Sequence, residues 1–180
     1  RGIDKNGELK SNYDPGVDIH AKATILGEGS RGNLSKTLIN KHELMKGKNP
    51  QVWALGVKEL WKMPEGSVKP GYVAHTMGFP LGHDIFGGAF IYGMKNDILD
   101  IGLVMGLDYQ DASSDPHHEL QLLKTHPWIR SLLKDGKMIA YGAKTLPEGG
   151  YFSIPKLTVD GAILIGDSAG FMNGQRLKGI

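Results

Sequence analysis

Residues 162–165 form a short, wholly apolar run closed at each end by a glycine, Gly161 and Gly166. Four apolar residues without alternation suit a strand buried on both faces rather than a half-exposed one. Directly behind the run stand an acid, Asp167, and three small residues, Ser168, Ala169 and Gly170. Open α/β sheets bind ligands at the carboxyl ends of their strands. An acid placed there accepts hydrogen bonds from polyol hydroxyls, and small residues let backbone N–H groups come close to a ligand. The same residues also suit a core strand followed by a tight turn, and this stretch alone does not choose between the two.

A second stretch has a related form. Residues 18–26 read as a strand that becomes more apolar towards its end, and residues 33–44 as a helix with Leu34, Leu38 and Ile39 on one face. Ser30 or Asn33 is available as its N-cap. Between strand and helix lies Gly27-Glu-Gly-Ser-Arg-Gly32. Such a turn makes an anion site, because unpaired N–H groups and the helix dipole face it. Arg31 either adds a bidentate contact to a phosphate or carboxylate, or stays a solvated charge. Upstream, Asp4-Lys-Asn-Gly7 reads as a hairpin turn leading into a strand over residues 8–13.

Lys46-Gly-Lys-Asn-Pro50 breaks the composition, and the part that follows is strand-rich. Residues 51–62 alternate, with Trp53, Leu55 and Val57 on one side and Ala54, Gly56 and Lys58 on the other. A strand is expected over residues 72–77 and an irregular connection over 78–84. Residues 86–94 and 98–107, joined by Lys95-Asn-Asp97, are the strongest hairpin in the chain. Gly87-Gly88 inside it marks either a β-bulge or a ligand lying against bare backbone, with Phe79, Phe86 and Phe90 near enough to sandwich a ring. Asp115-Pro116 starts a helix, with Asp115 as N-cap and Pro116 in the first turn. Leu120, Leu123, Ile129, Leu132 and Leu133 face a core, interrupted at Pro127. His117, His118 and His126 match no metal-ligand spacing, so no metal is assigned. Residues 136–143 return as a strand, Glu148-Gly-Gly150 turns, and residues 154–159 lead into the first stretch.

Composition excludes more than it assigns. A net charge of +2, with no basic patch interleaved with aromatics, gives no argument for a nucleic-acid partner. The absence of cysteine excludes disulfides, thiolate catalysis and a thiolate-held cluster within this chain. No apolar run approaches the ~20 residues that span a bilayer. The 26 glycines fall in strand-like segments as well as turns, which favours close backbone packing or ligand approach. Both ends read as cut: a helix is expected after the turn at 166–170, where residues 176–180 stop, so a piece of a longer protein is expected.

The succession Lys58-Glu-Leu-Trp61, His75-Thr76, Gly87-Gly88, Leu107-Asp-Tyr109, Lys124-Thr-His-Pro127, Tyr141-Gly-Ala143, Glu148-Gly-Gly150, Ser153-Ile-Pro-Lys-Leu157 and Gly170-Phe-Met-Asn173 runs the length of the chain. In order and spacing it resembles the electron transfer flavoprotein–ubiquinone oxidoreductase family. The resemblance implies an α+β fold, an α/β flavoprotein fragment. Its strand-rich quinone-binding domain, residues 47–156 with helices on one face, would be flanked by residues 1–46 and 157–180. Those flanks would be pieces of an FAD-binding domain of the glutathione-reductase and hydroxybenzoate-hydroxylase type. FAD contacts are then expected from Glu28, Gly29, Arg31, Gly32, Gly166, Asp167, Gly170, Phe171, Met172 and Asn173. Ubiquinone contacts are expected from Gly87, Gly88 and Phe86, where many members have tyrosine; Asp167 stands where many have cysteine. No residue is assigned a catalytic role.

The implied parent passes electrons from reduced electron transfer flavoprotein through FAD and a 4Fe-4S cluster to ubiquinone. It would sit peripherally at an inner membrane, on the bacterial cytoplasmic face or the mitochondrial matrix face. The N-terminal Gly-x-Gly-x-x-Gly turn that the family uses for the ADP half of FAD, and its cluster cysteines, are not matched here. The isolated chain is therefore expected to be inactive and to bind no FAD. Two other readings stay open: a binding module for an apolar ligand, and part of a flavin-dependent hydroxylase.

Overall fold

The computed structural model describes residues 1–174. In chain order its elements are β1 (Thr24–Leu26), α1 (Asn33–Lys41), β2 (Trp53–Lys62), β3 (Val73–Thr76), β4 (Gly87–Met94), β5 (Ile98–Gly106), α2 (Pro116–Leu123), α3 (Pro127–Leu132), β6 (Lys137–Pro147), β7 (Thr158–Val159) and β8 (Ala162–Leu164). Short 3-10 turns cover Tyr151–Ser153 and Gly166–Ala169. The helix expected at the end of the chain lies outside the described residues.

Two sheets organise these elements. Five strands form an antiparallel sheet in the order β3-β4-β5-β2-β6. The β4–β5 hairpin turns through Lys95-Asn-Asp97, with Met94 opposite Ile98. Asn96 and Asp97 take φ values of 60° and 52°, the left-handed region that short polar side chains tolerate. Alternation then sets the faces. Leu99, Ile101, Leu103 and Met105 of β5 join Ala89 and Ile91 of β4 and Val57 of β2 in one core, which Leu120, Leu123, Ile129 and Leu133 of the helical segment complete. Asp115 caps α2 as its sequence requires, accepting from the amide of His117 at 2.8 Å. The opposite face carries Gly88, Phe90 and Tyr92 of β4 opposite Val104, Gly102 and Asp100 of β5. There the Phe90 ring lies across Gly102, where a Cβ would strike it, and stacks on Tyr92 at 4.9 Å.

The smaller sheet has the order β1-β8-β7, with β1 and β8 parallel. It brings the two stretches singled out by sequence side by side, although 138 positions separate Thr24 from its partner Ala162. Leu164 is fully buried, whereas Ala162 and Ile163 are half-buried and Ile165 is exposed, so the run is covered less completely than its composition suggests.

Several expected strands are shorter or missing. The turn at Asp4–Gly7 forms, with the Gly7 amide donating to the Asp4 carbonyl, but residues 8–13 contribute only a single bridge, Ile3 to Leu9. Of residues 18–26 only Thr24–Leu26 are extended, because β8 offers three partners and residues 18–23 have none among the described residues. Residues 154–159 yield only β7, since β8 pairs it over two positions. In α1, Leu38 and Ile39 pack against the small core, but Leu34 is exposed. The strand expected over 136–143 runs on to Pro147, because β2 supplies partners that far.

Candidate functional site

Glu28 explains how the turn after β1 is held. Neither Ser30 nor Asn33 caps α1; the N-cap is Gly32, without a side-chain bond. The Glu28 carboxylate folds back instead, accepting from the Ser35 amide at 2.6 Å, the Ser35 hydroxyl at 2.8 Å and the Leu34 amide at 3.3 Å. Gly32 has to be glycine for this, because a Cβ there would collide with the Glu28 side chain. The helix N-terminus therefore does bind an anion, but the anion is the chain's own. Residues 27–32 also spell Gly-x-Gly-x-x-Gly between a strand and a helix, a pattern that sequence reading passed over. With Glu28 on the leading amides, those amides are not available to a pyrophosphate.

The bonds from Ser35 and its amide hold the Glu28 carboxyl below the usual carboxylate range, against a smaller opposing effect of burial. A lowered folded pKa stabilises the turn above the ordinary glutamate value, and this stabilisation is lost as pH falls through the folded value. Protection of the Leu34 and Ser35 amides, taken relative to their intrinsic exchange at each pH, is expected to fall on acidification through that range. Glu28→Ala is expected to show the low protection already at neutral pH. Protection independent of both pH and the substitution would contradict this role.

The two turns meet. The Ser168 hydroxyl donates to the Gly29 carbonyl at 2.9 Å, and Ser30 and Thr145 share a hydroxyl bond of 2.7 Å that ties the turn to β6. Between them lies a cleft of about 200 Å³ whose walls include Gly29, Ser30, Arg31, Gly32, Asp167, Ser168, Ala169 and Gly170. Gly166 and Gly170, at φ 56° and 75°, make the turn that opens it. The Arg31 guanidinium lies 5.6 Å from the centre of the Trp53 ring, so it is neither free nor ion-paired but laid on an aromatic face.

A second cleft, about 460 Å³, shares Gly170 with the first and adds Phe171, Met172, Asn173, Phe86 and Glu148. A third, about 410 Å³, shares Phe86, Glu148 and Gly174 with the second and is walled by His75, Thr76, Gly87, Gly88, Phe90 and Val104. The glycine pair is not a bulge: β4 and β5 keep register through Gly87–Met105 and Gly88–Val104, and the one register shift of the sheet is at Leu60/Trp61 on β2–β6. Close approach explains the pair instead. A Cβ on Gly87 would strike the Val104 carbonyl, and one on Gly88 the Thr76 carbonyl. Phe86 and Phe90 wall this third cleft as expected, but Phe79 does not; its ring stands 5.9 Å from that of His126. His117 reaches Gln121 rather than a metal-like cluster.

Glu148, Gln51 and Trp53 wall these clefts and Lys144 stands beside them, none of them marked as a site residue by sequence reading. The Gln51 carbonyl oxygen accepts from the Gly149 amide at 2.6 Å, and its amide nitrogen sits 2.8 Å from where a Gly170 Cβ would be. Lys144 brings its ammonium beside Gly29. No local spacing marks these residues, because register across the sheets places them. Among the described residues three buried side-chain polar atoms make no hydrogen bond: Thr76 Oγ1, Asp100 Oδ1 and Glu148 Oε2. Two of the three belong to residues walling the third cleft.

Residues 53–146, just over half of the chain and nearly the whole five-stranded sheet, match the family model described as ETF-QO, ubiquinone-binding. The human mitochondrial electron transfer flavoprotein-ubiquinone oxidoreductase is 47% identical over 180 residues, which cover 99% of this chain and 29% of that protein. The probable Saccharomyces cerevisiae enzyme of the same name is 43% identical over 178 residues, 99% of this chain and 28% of its own length. The chain thus spans under a third of these relatives. Among solved structures, the flavin-dependent brominase Bmp2 superposes with a TM-score of 0.59 at 14% identity, covering 93% of this chain and 41% of that one. A geranylgeranyl bacteriochlorophyll reductase-like protein from Thermoplasma acidophilum gives 0.59 at 14%, covering 86% and 36%. Identities that low speak for the fold alone, a strand-rich one with few helices that is found in flavin enzymes. On the family match, the chain belongs to the ETF-QO, ubiquinone-binding family.

Proposed function

We propose that this chain is part of an electron transfer flavoprotein–ubiquinone oxidoreductase, in which it contributes walls of an FAD cleft and of a ubiquinone cleft. The parent would pass electrons from reduced electron transfer flavoprotein through FAD and an iron–sulfur cluster to ubiquinone. The observation that carries this reading is the row of three clefts, each sharing residues with the next, running from the Gly29–Gly170 turns to Gly87-Gly88. Residues 1–46 and 157–180 would belong to the FAD-binding domain and 47–156 to the quinone-binding domain. This division is supported by the small sheet being built from both flanks and the large one only from residues 53–147.

The donor set fits FAD at the first cleft. Half of its wall residues are glycine, serine or alanine, Asp167 of the Gly166–Gly170 turn is among them, and Arg31 is pre-placed by Trp53. FAD, when bound, supplies the step between a two-electron donor and a quinone. The chain's own work is then to hold and to exclude. Asp167 is placed to accept from polyol hydroxyls, while Phe171, Met172 and Asn173 wall the middle of the row. At the third cleft the glycine pair exposes backbone to a quinone ring edge, and Phe86 and Phe90 supply aromatic walls. No residue here fits the cluster, since the chain has no cysteine, and no step is routed through it.

An apolar quinone and the mitochondrial relatives support a peripheral place at an inner membrane. Among the described residues no helix is long and apolar enough to cross a membrane. The full-length parent is expected to reduce a short-chain ubiquinone with reduced electron transfer flavoprotein as donor, and failure to do so with flavin fully loaded would refute the reading. Residues 1–180 alone are expected to purify without stoichiometric flavin absorbance, because the further glycine turn for the ADP half of FAD is not among them. A yellow, stoichiometrically loaded chain would contradict this.

A further inference from the structure

Converting a quinone to a quinol takes two electrons and two protons, one proton for each carbonyl oxygen. The proposed reading names a source for the electrons, a reduced flavin, but no group that delivers the protons to the quinone oxygens. A cleft walled by glycine, phenylalanine, alanine and valine has little to offer. Its titratable side chains are His75 and Glu148. His75 is committed outward, its Nε2 bonded to the Tyr92 hydroxyl at 3.0 Å on an exposed part of the sheet. Among the described residues Glu148 is the only one with an ionisable side chain that walls both the second and the third cleft.

Its backbone is pinned on both sides. Pro147 before it is fully buried, its own amide donates to Val52 at 2.7 Å, and the next amide donates to Gln51 at 2.6 Å. The side chain is not pinned in the same way. Oε2 is buried yet has no hydrogen-bond partner, although polar atoms so placed almost always have one. It lies at the seam of the two clefts, 3.7 Å from where a Gly174 Cβ would stand, with the Phe86 ring 3.6 Å from the same point.

Resting on the ubiquinone reading of the third cleft, we propose that Glu148 is the acid that hands a proton to a carbonyl oxygen of the bound quinone. In that step the Glu148 O–H bond breaks and a quinol O–H bond forms, while the two electrons arrive from the reduced flavin. Solvent gives the second proton and restores the carboxyl, and the protons that oxidation frees from the reduced flavin return to solvent, so that protons and electrons balance. Glu148 is suited to wait in the protonated form, because burial pushes its pKa up. The titratable groups that share a cleft wall with it are His75 in the third and Tyr151 in the second, and Asp108 stands beside Gly106. Among the described residues no lysine or arginine walls either cleft to stabilise a carboxylate at rest. Thr76, whose hydroxyl is also unpartnered, is available as donor at the far wall.

The test uses the full-length holoenzyme with Glu148→Gln, which keeps the shape and removes the acid, and Glu148→Asp. With a short-chain ubiquinone, E148Q is expected to lose kcat by ~10²-fold with little change in KM. The wild-type decline in rate as pH rises through the Glu148 pKa is expected to vanish in E148Q, and E148D is expected to recover part of the rate. Independently of turnover, infrared titration of the oxidised enzyme is expected to show a protonated-carboxyl band that persists above the usual glutamate range and is missing in E148Q. Wild-type kcat in E148Q, or an unchanged carboxyl band, would overturn the assignment. Gly88→Val separates the two levels: if it impairs quinone reduction while E148Q does not, only the role of Glu148 falls. If neither has an effect, the quinone cleft itself falls with it.

Discussion

Placing valine at Gly88 in the full-length protein is expected to cut quinone reduction by ~10²-fold while flavin content stays near that of the wild type. A side chain at this position meets the Thr76 carbonyl, so β3 has to move away from β4, and Thr76 and His75 move with it. These are the residues that wall the third cleft opposite the glycines. Overpacking of this kind costs about 1–3 kcal/mol locally. The flavin turns sit on the other sheet and share no strand with the damaged one. Parallel measurement of bound flavin and of turnover with a short-chain ubiquinone decides the matter, and equal loss of both, or of neither, would remove the role given to the glycine pair. Gly88→Ala, a smaller insult at the same point, is expected to lie between.

Lys124→Ala is expected to loosen the large sheet by ~3–5 kcal/mol, read as lost protection of β2 and β5 amides in hydrogen exchange at neutral pH. Glu59 is 4% exposed on the helix-covered face of β2. Burial alone would raise its pKa, but Lys124, at 2.8 Å from both carboxylate oxygens, with the Trp61 indole at 2.9 Å and Gln121 at 3.3 Å, outweighs burial and holds the group below the usual range. Lys124 also lies over the Trp61 ring at 5.4 Å. Removing the ammonium leaves a buried carboxylate with two neutral donors. Because the folded pKa is depressed, the contribution of the pair is present above the ordinary glutamate value and lost as pH falls through the folded one. In Lys124→Ala the Glu59 pKa is expected to rise, so protection is lost at a higher pH. A double change, Glu59→Leu with Lys124→Met, is expected to recover most of the protection, since an apolar pair no longer carries a buried charge. An unchanged exchange pattern in Lys124→Ala would show that the pair adds nothing to the packing.

Local signals carried a large share of this fold. The β4–β5 hairpin, the Asp115 cap with Pro116 behind it, the break at Pro127 and the alternation of β2 are each decided by a few adjacent residues, and each is where the pattern puts it. Strand length was less legible. Residues 18–23 read as strand in sequence but pair with no strand among the described residues, and a strand without a ladder has nothing to satisfy its amides but water. The cap of α1 shows the same limit, for Glu28 reaches it from before the turn and no spacing rule for N-caps includes that position.

Residue order by itself determined most of the strands and helices, which faces are apolar, and where the glycine turns fall, because propensity, alternation and turn chemistry act over a few positions. Tertiary structure alone decided that Gly29 and Ser168 touch, that three clefts share walls, and that Glu148 ends beside Phe86 with an oxygen unpaired. Those contacts join residues up to 139 positions apart. They depend on sheet register and strand order, which arise from packing the chain as a whole and leave no mark in any short stretch of it.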